Sequence, residues 1–600
     1  MDTPAPFYPR PLLQRAQWMC LNGSWRFSFD PQRRYLHPSD LPNWPLTIRV
    51  PFPPESTASG IGDTAFHAAC WYERDFEIVP DGGRVILHFG AVDYLAKVWI
   101  NGRYVASHAG GHTPFSADIT PALDASGRQT VTVLAEDDPH DLAKPRGKQD
   151  WQPEPHAIWY PRTTGIWQTV WLERVSRTYI EKIRWTPHLE GFAFTFEARI
   201  ANASAPDLTL ELKLLHGDRV LAHDFYGVVS HEVDRRIILS DPGIDDYRNE
   251  LLWSPERPTL LDAEIRLRSG GQVIDEVRSY TALRAVAISR DRFMLNGRPY
   301  FLRLVLDQGY WPDTLLAAPS DEALRRDVEL AKAMGFNGVR KHQKLEDPRY
   351  LYWADKLGLL VWEEMPSAYR FTDVAIRRTF TEWAEAIDRD ASHPCIVVWV
   401  PYNESWGVPE LPTLRQHAHA VESLYHLTKT LDGTRPVIGN DGWESAATDI
   451  IGIHDYDPNP AHIHQRYGAE INPAQLFDRR RPGGRILTLD GYPHRGQPIM
   501  LTEFGGIAFR APDPSDADPR SERAWGYSRA LTAEEFVVRF RNLVIAVIEA
   551  PLLSGFCYTQ FADTFQEING LLYADRTPKV PLDAIADATR HPRSHIAGAA

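Results

Sequence analysis

The chain is poor in cysteine. Its four, Cys20, Cys70, Cys395 and Cys557, are far apart and form no CxxC pair, so the spacing encodes neither a zinc site nor a disulfide framework. Buried, reduced thiols are expected, and they fit a reducing compartment. No stretch reaches the roughly 18 apolar residues that a membrane span needs. The start, "MDTPAPFYPRPLLQRAQWMC", has no apolar core behind a basic segment, so no signal peptide is expected. A cytoplasmic protein without a membrane partner is the expectation. Basic charge is scarce too: 65 Lys and Arg against 79 Asp and Glu leave a net charge of −14, which disfavours a nucleic-acid partner. The densest basic cluster, Arg479, Arg480 and Arg481, reads as loop. There is no glycine-rich nucleotide fingerprint and no HExxH. His417 and His419 stand i, i+2 and so face different sides of a helix. No cofactor and no metal is expected.

Tryptophan, in contrast, is abundant, with 19 residues, and its ring is a common platform for apolar or sugar faces. A chain of 600 residues exceeds one hydrophobic core and predicts several domains. Residues 1–175 carry short alternating runs such as "RVILHFG" and "TVTVLAE" between turn signals. That texture predicts an all-β sandwich, with Asn101-Gly102 as a hairpin turn. Within it, 137–165 has little periodicity, and a loop that long is usually functional. Residues 176–285 read as a smaller immunoglobulin-like sandwich serving as a spacer.

From residue 286 onward, apolar runs alternate with helical patterns such as "SDEALRRDVELAKAMG", which opens on a good N-cap and closes on Gly335. Strands are expected at 301–305, 338–341, 359–363, 396–402, 437–440, 450–454, 499–503 and 555–558. Eight such units over about 300 residues predict a (β/α)8 barrel; a doubly wound open sheet is the rival. The predicted architecture is therefore multidomain: a jelly-roll β-sandwich (1–175), an immunoglobulin-like β-sandwich (176–285) and a C-terminal (β/α)8 TIM barrel (286–600).

Catalytic groups of a barrel sit at the C-terminal ends of its strands. Glu404 follows the fourth candidate strand in "VVWVPYNESWG", and Glu503 ends the seventh in "PIMLTEFGG". Strands four and seven lie across the mouth from one another, so the two carboxylates can face a common ligand. Glycoside hydrolysis needs such a pair: about 5–5.5 Å apart for retention, about 6.5–9.5 Å for inversion. The bland alternative is that each Glu pairs with an Arg or caps a helix.

"WVPYNESWG" and "LTEFGG" resemble the acid/base and nucleophile signatures of glycoside hydrolase family 2, the family of β-galactosidases, β-glucuronidases and β-mannosidases. The likeness spans nearly the whole chain, including the sugar-binding jelly roll in "GAVDYLAKVWINGRYVASHAGGHTPFSADIT" and barrel strands two and three in "MGFNGVRKH" and "ADKLGLLVWEE". It implies Glu404 as general acid/base, Glu503 as nucleophile and retention of configuration. Asn403 would bind the sugar 2-hydroxyl, Arg340 would keep Glu503 ionised, and Tyr456 in "IGIHDYD" would donate to it. His454 and Trp406 are further sugar-contact candidates. The chain also departs from the family. Thr559-Gln560 stands where Trp-Asn would be, which makes Gln560 a candidate contact. Glu567-Ile568-Asn569 lacks the Lys that binds a uronate, so a neutral sugar is expected. His342 is displaced within "RKHQKLEDP". Asp307 and Trp311 in "LDQGYWPD" are specificity contacts or loop staples.

Some family members hold magnesium near the acid/base, but no cluster here demands it. Trp151 and Trp159 either reach over the barrel mouth or pack a domain interface. The resemblance implies an oligosaccharide or glycoside substrate and a homo-oligomer. Together these readings predict a retaining exo-glycosidase for terminal neutral sugars, a β-galactosidase first. Galactofuranosides, arabinosides, mannosides and glucuronides stay open. An inactive carbohydrate-binding barrel and an endo-acting enzyme or transglycosylase are the other readings. The long insertions at 455–497 and 505–535 favour a closed, exo-type pocket.

Overall fold

The structure is a computed structural model that describes residues 7–239, 249–478, 480, 484–510 and 524–593. Arg479 and Arg481 of the basic cluster, and parts of both long insertions, lie outside the described residues.

Two antiparallel sheets form the N-terminal sandwich, one of six strands and one of four. Alternation along Ala69–Glu77 and Arg128–Glu136 turns Cys70, Tyr72, Val131 and Val133 into a shared core. The Asn101-Gly102 hairpin forms: Ile100 pairs with Arg103, and both turn residues have positive φ, 51° and 74°, as a type I′ turn requires. A second sandwich follows, with a three-stranded and a four-stranded sheet between Tyr179 and Thr281. It docks on the underside of the third domain, where Arg284 donates to the carbonyls of Pro394 and Ile396 at 2.9 and 2.7 Å.

That third domain is the parallel barrel. Strand one (Leu302–Asp307), two (Gly338–Lys341), three (Leu360–Glu364), four (Ile396–Val400), six (Ile451–His454), seven (Ile499–Gly505) and eight (Leu553–Thr559) form one sheet in the order 4-3-2-1-8-7-6. Near-continuous burial of Val, Ile, Leu and Trp along them reflects helices outside and packed side chains inside. The helix at Asp321–Ala333 starts as predicted, with Ser320 Oγ accepting from Ala323 N at 3.1 Å.

The expected fifth strand is a correction. Segment 437–441 touches strand four only through bridges at Trp399↔Val437 and Asn403↔Asp441 and has no ladder to strand six among the described residues. Asp441 is the reason. Its carboxylate lies over Gly452, where a Cβ would stand 1.6 Å from Oδ1, so a charged side chain fills the seam that a ladder would close. Strand four is also shorter than predicted, ending at Val400 before Pro401, which has no N–H to give.

Candidate active site

Beyond Pro401 the chain makes a tight turn. Glu404, Ser405 and Gly407 have φ of 53°, 60° and 79°, a left-handed conformation that costs a non-glycine residue about 1–3 kcal/mol. Hydrogen bonds hold it. Glu404 N donates to Asp441 O at 3.0 Å, Trp406 N to Asn403 O at 3.0 Å, Ser405 N to Asn440 Oδ1 at 3.0 Å, and Ser405 Oγ to Glu444 Oε2 at 2.6 Å. As a result, two adjacent side chains diverge. Asn403 Oδ1 accepts from Arg340 Nη2 at 2.7 Å, leaving its Nδ2 buried and unpartnered. Glu404 turns instead to His454 Nδ1, 2.7 Å from its Oε1.

Glu503 comes in from strand seven. Tyr456 Oη donates to its Oε2 at 2.7 Å, and Arg340 Nη1 lies 3.2 Å from its Oε1. His454 Nε2 is 3.4 Å from the same oxygen and 3.3 Å from Asp441 Oδ2. One oxygen each of Glu404 and Glu503 and one nitrogen of His454 all lie within 4.8 Å of one another. The two carboxylates therefore face each other at close range.

Beneath them is a fully buried charge network. Arg340 reaches Glu364 and Asp441, each at 2.6 Å, besides Glu503 and Asn403. Burial works against its charge, but the surrounding carboxylates raise its pKa well above the ordinary value. Burial would likewise depress His454; the charge of Glu503 and the hydrogen bonds to Asp441 and Glu404 instead raise it to about 10. For Glu404 the balance runs the other way. Burial pushes its carboxyl up, and the His454 hydrogen bond and charge, aided by Lys148, bring it down to about 2. The resting pair is therefore an imidazolium hydrogen-bonded to a carboxylate.

The sequence matches "Glycosyl hydrolases family 2, TIM barrel domain" over residues 286–508, the family's sugar binding domain over 39–144 and "Glycosyl hydrolases family 2" over 178–284. The chain belongs to glycoside hydrolase family 2. It is 29% identical over 383 residues to a β-galactosidase of Thermoanaerobacter pseudethanolicus, covering 62% of this chain and 48% of that protein. It is 26% identical over 512 residues to the β-glucuronidase of Felis catus, covering 75% and 73%. The chain thus spans about half the length of the bacterial β-galactosidase. Among solved structures, a β-galacturonidase from Eisenbergiella tayi superposes with a TM-score of 0.71 at 20% identity, covering 97% of both chains. A β-glucuronidase from Bifidobacterium dentium does so with 0.75 at 19%, covering 96% and 97%.

This family-2 barrel gathers most of the residues singled out in the sequence. Glu404, Glu503, Asn403, Arg340, Tyr456 and His454 form one cluster. His342 joins it despite its displaced motif: it is buried, its pKa falls well below the usual value through burial and then Lys148, and the charges of Glu503 and Glu404 act on it. Trp406 stands at the rim against Trp159, ring centroids 5.6 Å apart. Gln560 is buried behind it all, its Nε2 donating to Glu567 Oε2 at 3.0 Å and Asn569 Oδ1 at 2.7 Å.

For Asp307 and Trp311 the contacts follow the loop-staple alternative that the sequence left open. Asp307 is spent on Lys341 Nζ at 2.6 Å and on Gly309 N at 2.9 Å. Trp311 packs in the barrel core beneath the Arg576 guanidinium, 4.7 Å from its ring. Both staple the loop after strand one.

Magnesium takes oxygen ligands; here Glu404 Oε1 is 2.7 Å from His454 Nδ1, and nearby Glu444 is paired with Arg485 at 2.8 Å. Among the described residues a second group of ligand-type atoms, Asp355, His393 and Cys395, is a hydrogen-bonded structural knot: Asp355 Oδ2 is 2.6 Å from His393 Nδ1 and its Oδ1 accepts from Cys395 N at 2.8 Å.

Sequence reasoning missed Asp441, Glu364 and Tyr527. Tyr527 stacks on Tyr456 with centroids 3.4 Å apart, over Gly506, where a Cβ would meet the Tyr527 ring at 2.4 Å. The double glycine of "LTEFGG" was the available signal. The 137–165 loop does reach the mouth: Trp159 Nε1 donates to Tyr369 Oη at 2.8 Å, and Gln566 Nε2 donates to Trp159 O at 2.8 Å.

Proposed function

We propose that the chain is a retaining, exo-acting glycosidase that releases terminal neutral sugars, with β-galactosides as the first candidates. The approach of Glu404 and Glu503 oxygens to within 4.8 Å carries this reading, because about 5–5.5 Å between carboxyl groups is the spacing of a double displacement. Glu503 attacks the anomeric carbon, the bond to the leaving oxygen breaks, and that oxygen takes a proton. Arg340 Nη1, 3.2 Å from Glu503 Oε1, offsets the negative charge of the site beforehand. Tyr456 donates to Oε2, leaving Oε1 for the attack or releasing Oε2 as the ester forms.

The proton comes from the Glu404–His454 pair. Beside the charged imidazole Glu404 is too acidic to hold the proton itself, but His454 holds one 2.7 Å away. Glu503 is the largest influence raising His454. When Glu503 becomes a neutral ester that influence is lost, and the proton moves from Nδ1 to Oε1 and on to the leaving group. Glu404, again a carboxylate, then takes a proton from the incoming water, and the water oxygen displaces Glu503. Asn403 Nδ2, unpartnered beside Arg340, is available to the 2-hydroxyl.

A panel of aryl β-galactopyranoside, β-glucuronide, β-mannoside, β-galactofuranoside and α-L-arabinosides, with Glu503→Gln as control, tests the reading. A neutral glycoside hydrolysed by the wild type and not by the variant supports it. Turnover of the glucuronide alone contradicts the neutral-sugar assignment.

A further inference from the structure

Lys148 is the one residue of the N-terminal loop that brings a cation to the barrel mouth without a visible task. It is buried, with 6% of its surface exposed, yet its ammonium makes no ion pair or hydrogen bond among the described residues. Its backbone is pinned from two sides. Lys148 O accepts from Tyr160 N at 2.8 Å, and Gly147 N donates to Ser367 O at 3.1 Å. Gly147 has φ of 60°, and a Cβ there would stand 2.4 Å from Gln343 O. Only glycine lets the loop come this close to the ends of strands two and three, and Lys148 follows it directly.

The segment that carries Lys148 runs against the loop after strand eight: Tyr160 N donates to Lys148 O at 2.8 Å and Gln566 Nε2 donates to the neighbouring Trp159 O at 2.8 Å, and the charge of Lys148 acts on Glu404, Glu567 and His342. Glu567 sits in the loop after strand eight and accepts from Gln560 Nε2, while Gln560 Oε1 and Asn569 Nδ2 remain buried without partners. An ammonium facing a carboxyl beyond ion-pair distance, with spare amide groups alongside, suits a hydroxyl that accepts from one and donates to the other. A substrate carboxylate at this spot would confront the Glu567 carboxyl, which already accepts from Gln560. The position also selects the hydroxyl. Asn403 lies at the end of strand four, and strand eight is on the opposite side of the barrel. A sugar with its 2-hydroxyl at Asn403 therefore turns its C4–C6 edge toward Glu567.

Resting on the glycosidase reading above, we propose that Lys148 and Glu567 together clamp the 4- or 6-hydroxyl of the terminal sugar, making Lys148 a specificity residue lent to the barrel by the N-terminal domain. The test compares wild type, Lys148→Met and Lys148→Arg on aryl β-D-galactoside, its 4-deoxy and 6-deoxy analogues, and aryl β-D-glucuronide. Thermal melting serves as the folding control. Lys148→Met is expected to lower kcat/KM on the galactoside about 10- to 100-fold, the worth of a charged hydrogen bond, and to leave one deoxy analogue unchanged. Lys148→Arg should recover part of the loss.

Equal losses on all three neutral substrates, or none on the parent, overturn the clamp while leaving the glycosidase reading intact. A loss confined to the glucuronide reassigns Lys148 to a carboxylate and also overturns it. Calorimetric titration with D-galactose and its 4-deoxy and 6-deoxy forms reads the same pattern without turnover. A wild-type protein inert in both assays defeats the clamp and the neutral-sugar reading together.

Discussion

Nδ1 of His454 stands 2.7 Å from Oε1 of Glu404, and the other nitrogen of the same ring lies 3.4 Å from Glu503. One imidazolium thus bridges the proposed acid/base and the proposed nucleophile. That cation, with Arg340, offsets the repulsion between the two carboxylates.

Removing the bridge should change pH dependence more than substrate affinity. With His454→Asn, Glu404 loses both its hydrogen bond and the charge that lowers it, so its pKa rises. The alkaline limb of kcat/KM, set in the wild type by loss of the pair's proton near about 10, is expected to fall to the pKa of Glu404 alone, a downward move of at least about one unit. Initial rates on a glycoside whose leaving group needs protonation, between about pH 5 and 11, read this directly; an unmoved alkaline limb contradicts the coupling.

Stability should carry the same signature. His454 is raised to about 10 from about 6.5 in an unfolded chain, so its stabilisation is full below about 6.5 and is lost as pH rises through about 10. Glu404 and Asp441 are lowered to about 2, so theirs is present above about 4 and lost as pH falls toward 2. Melting temperature should peak in between. The alkaline fall should be shallower in His454→Asn than in the wild type.

Arg340 is fully buried and pairs with Glu364, Asp441 and Glu503. Arg340→Met leaves those charges without their main counter-ion, and breaking a buried pair this way costs about 3–5 kcal/mol. Urea unfolding followed by Trp fluorescence should show a loss of this size. A loss below about 1 kcal/mol, the scale of an exposed pair, contradicts the network's structural weight.

Tyr456 makes its hydrogen bonds to Glu503 Oε2 and Thr559 Oγ1, at 2.7 and 3.0 Å. Tyr456→Phe keeps the ring stacked on Tyr527 and deletes only the hydroxyl. A fall in kcat of about 10²–10³-fold is expected, the usual effect of removing one preorganised donor, with melting temperature nearly unchanged. An unaltered kcat contradicts the assigned role.

Much of this was legible in the sequence because strands advertise themselves. Apolar runs ending in Asn403-Glu404 and Glu503, three βα units apart, marked the mouth of the barrel and the two residues that meet there. What the sequence hid depends on which way a side chain turns. Asp441 sits at the end of a predicted strand, and nothing local shows that its carboxylate fills the seam beside Gly452. Asp307 ends strand one as Glu404 follows strand four, yet Lys341, one strand over, consumes its charge. Lys148 lies in a loop flagged only for its length; its approach to the barrel mouth rests on Gly147 meeting a backbone nearly 200 residues away.

The central claim is that Glu503 forms a covalent bond to the sugar, and trapping measures it most directly. The protein would be incubated with a 2-deoxy-2-fluoro glycoside bearing a good leaving group, then digested and mapped by mass spectrometry. The account predicts one fluorosugar per chain, on the peptide containing Glu503, with none on Glu503→Gln. A label on any other residue, or rapid turnover with no adduct and an inverted first product, would contradict it.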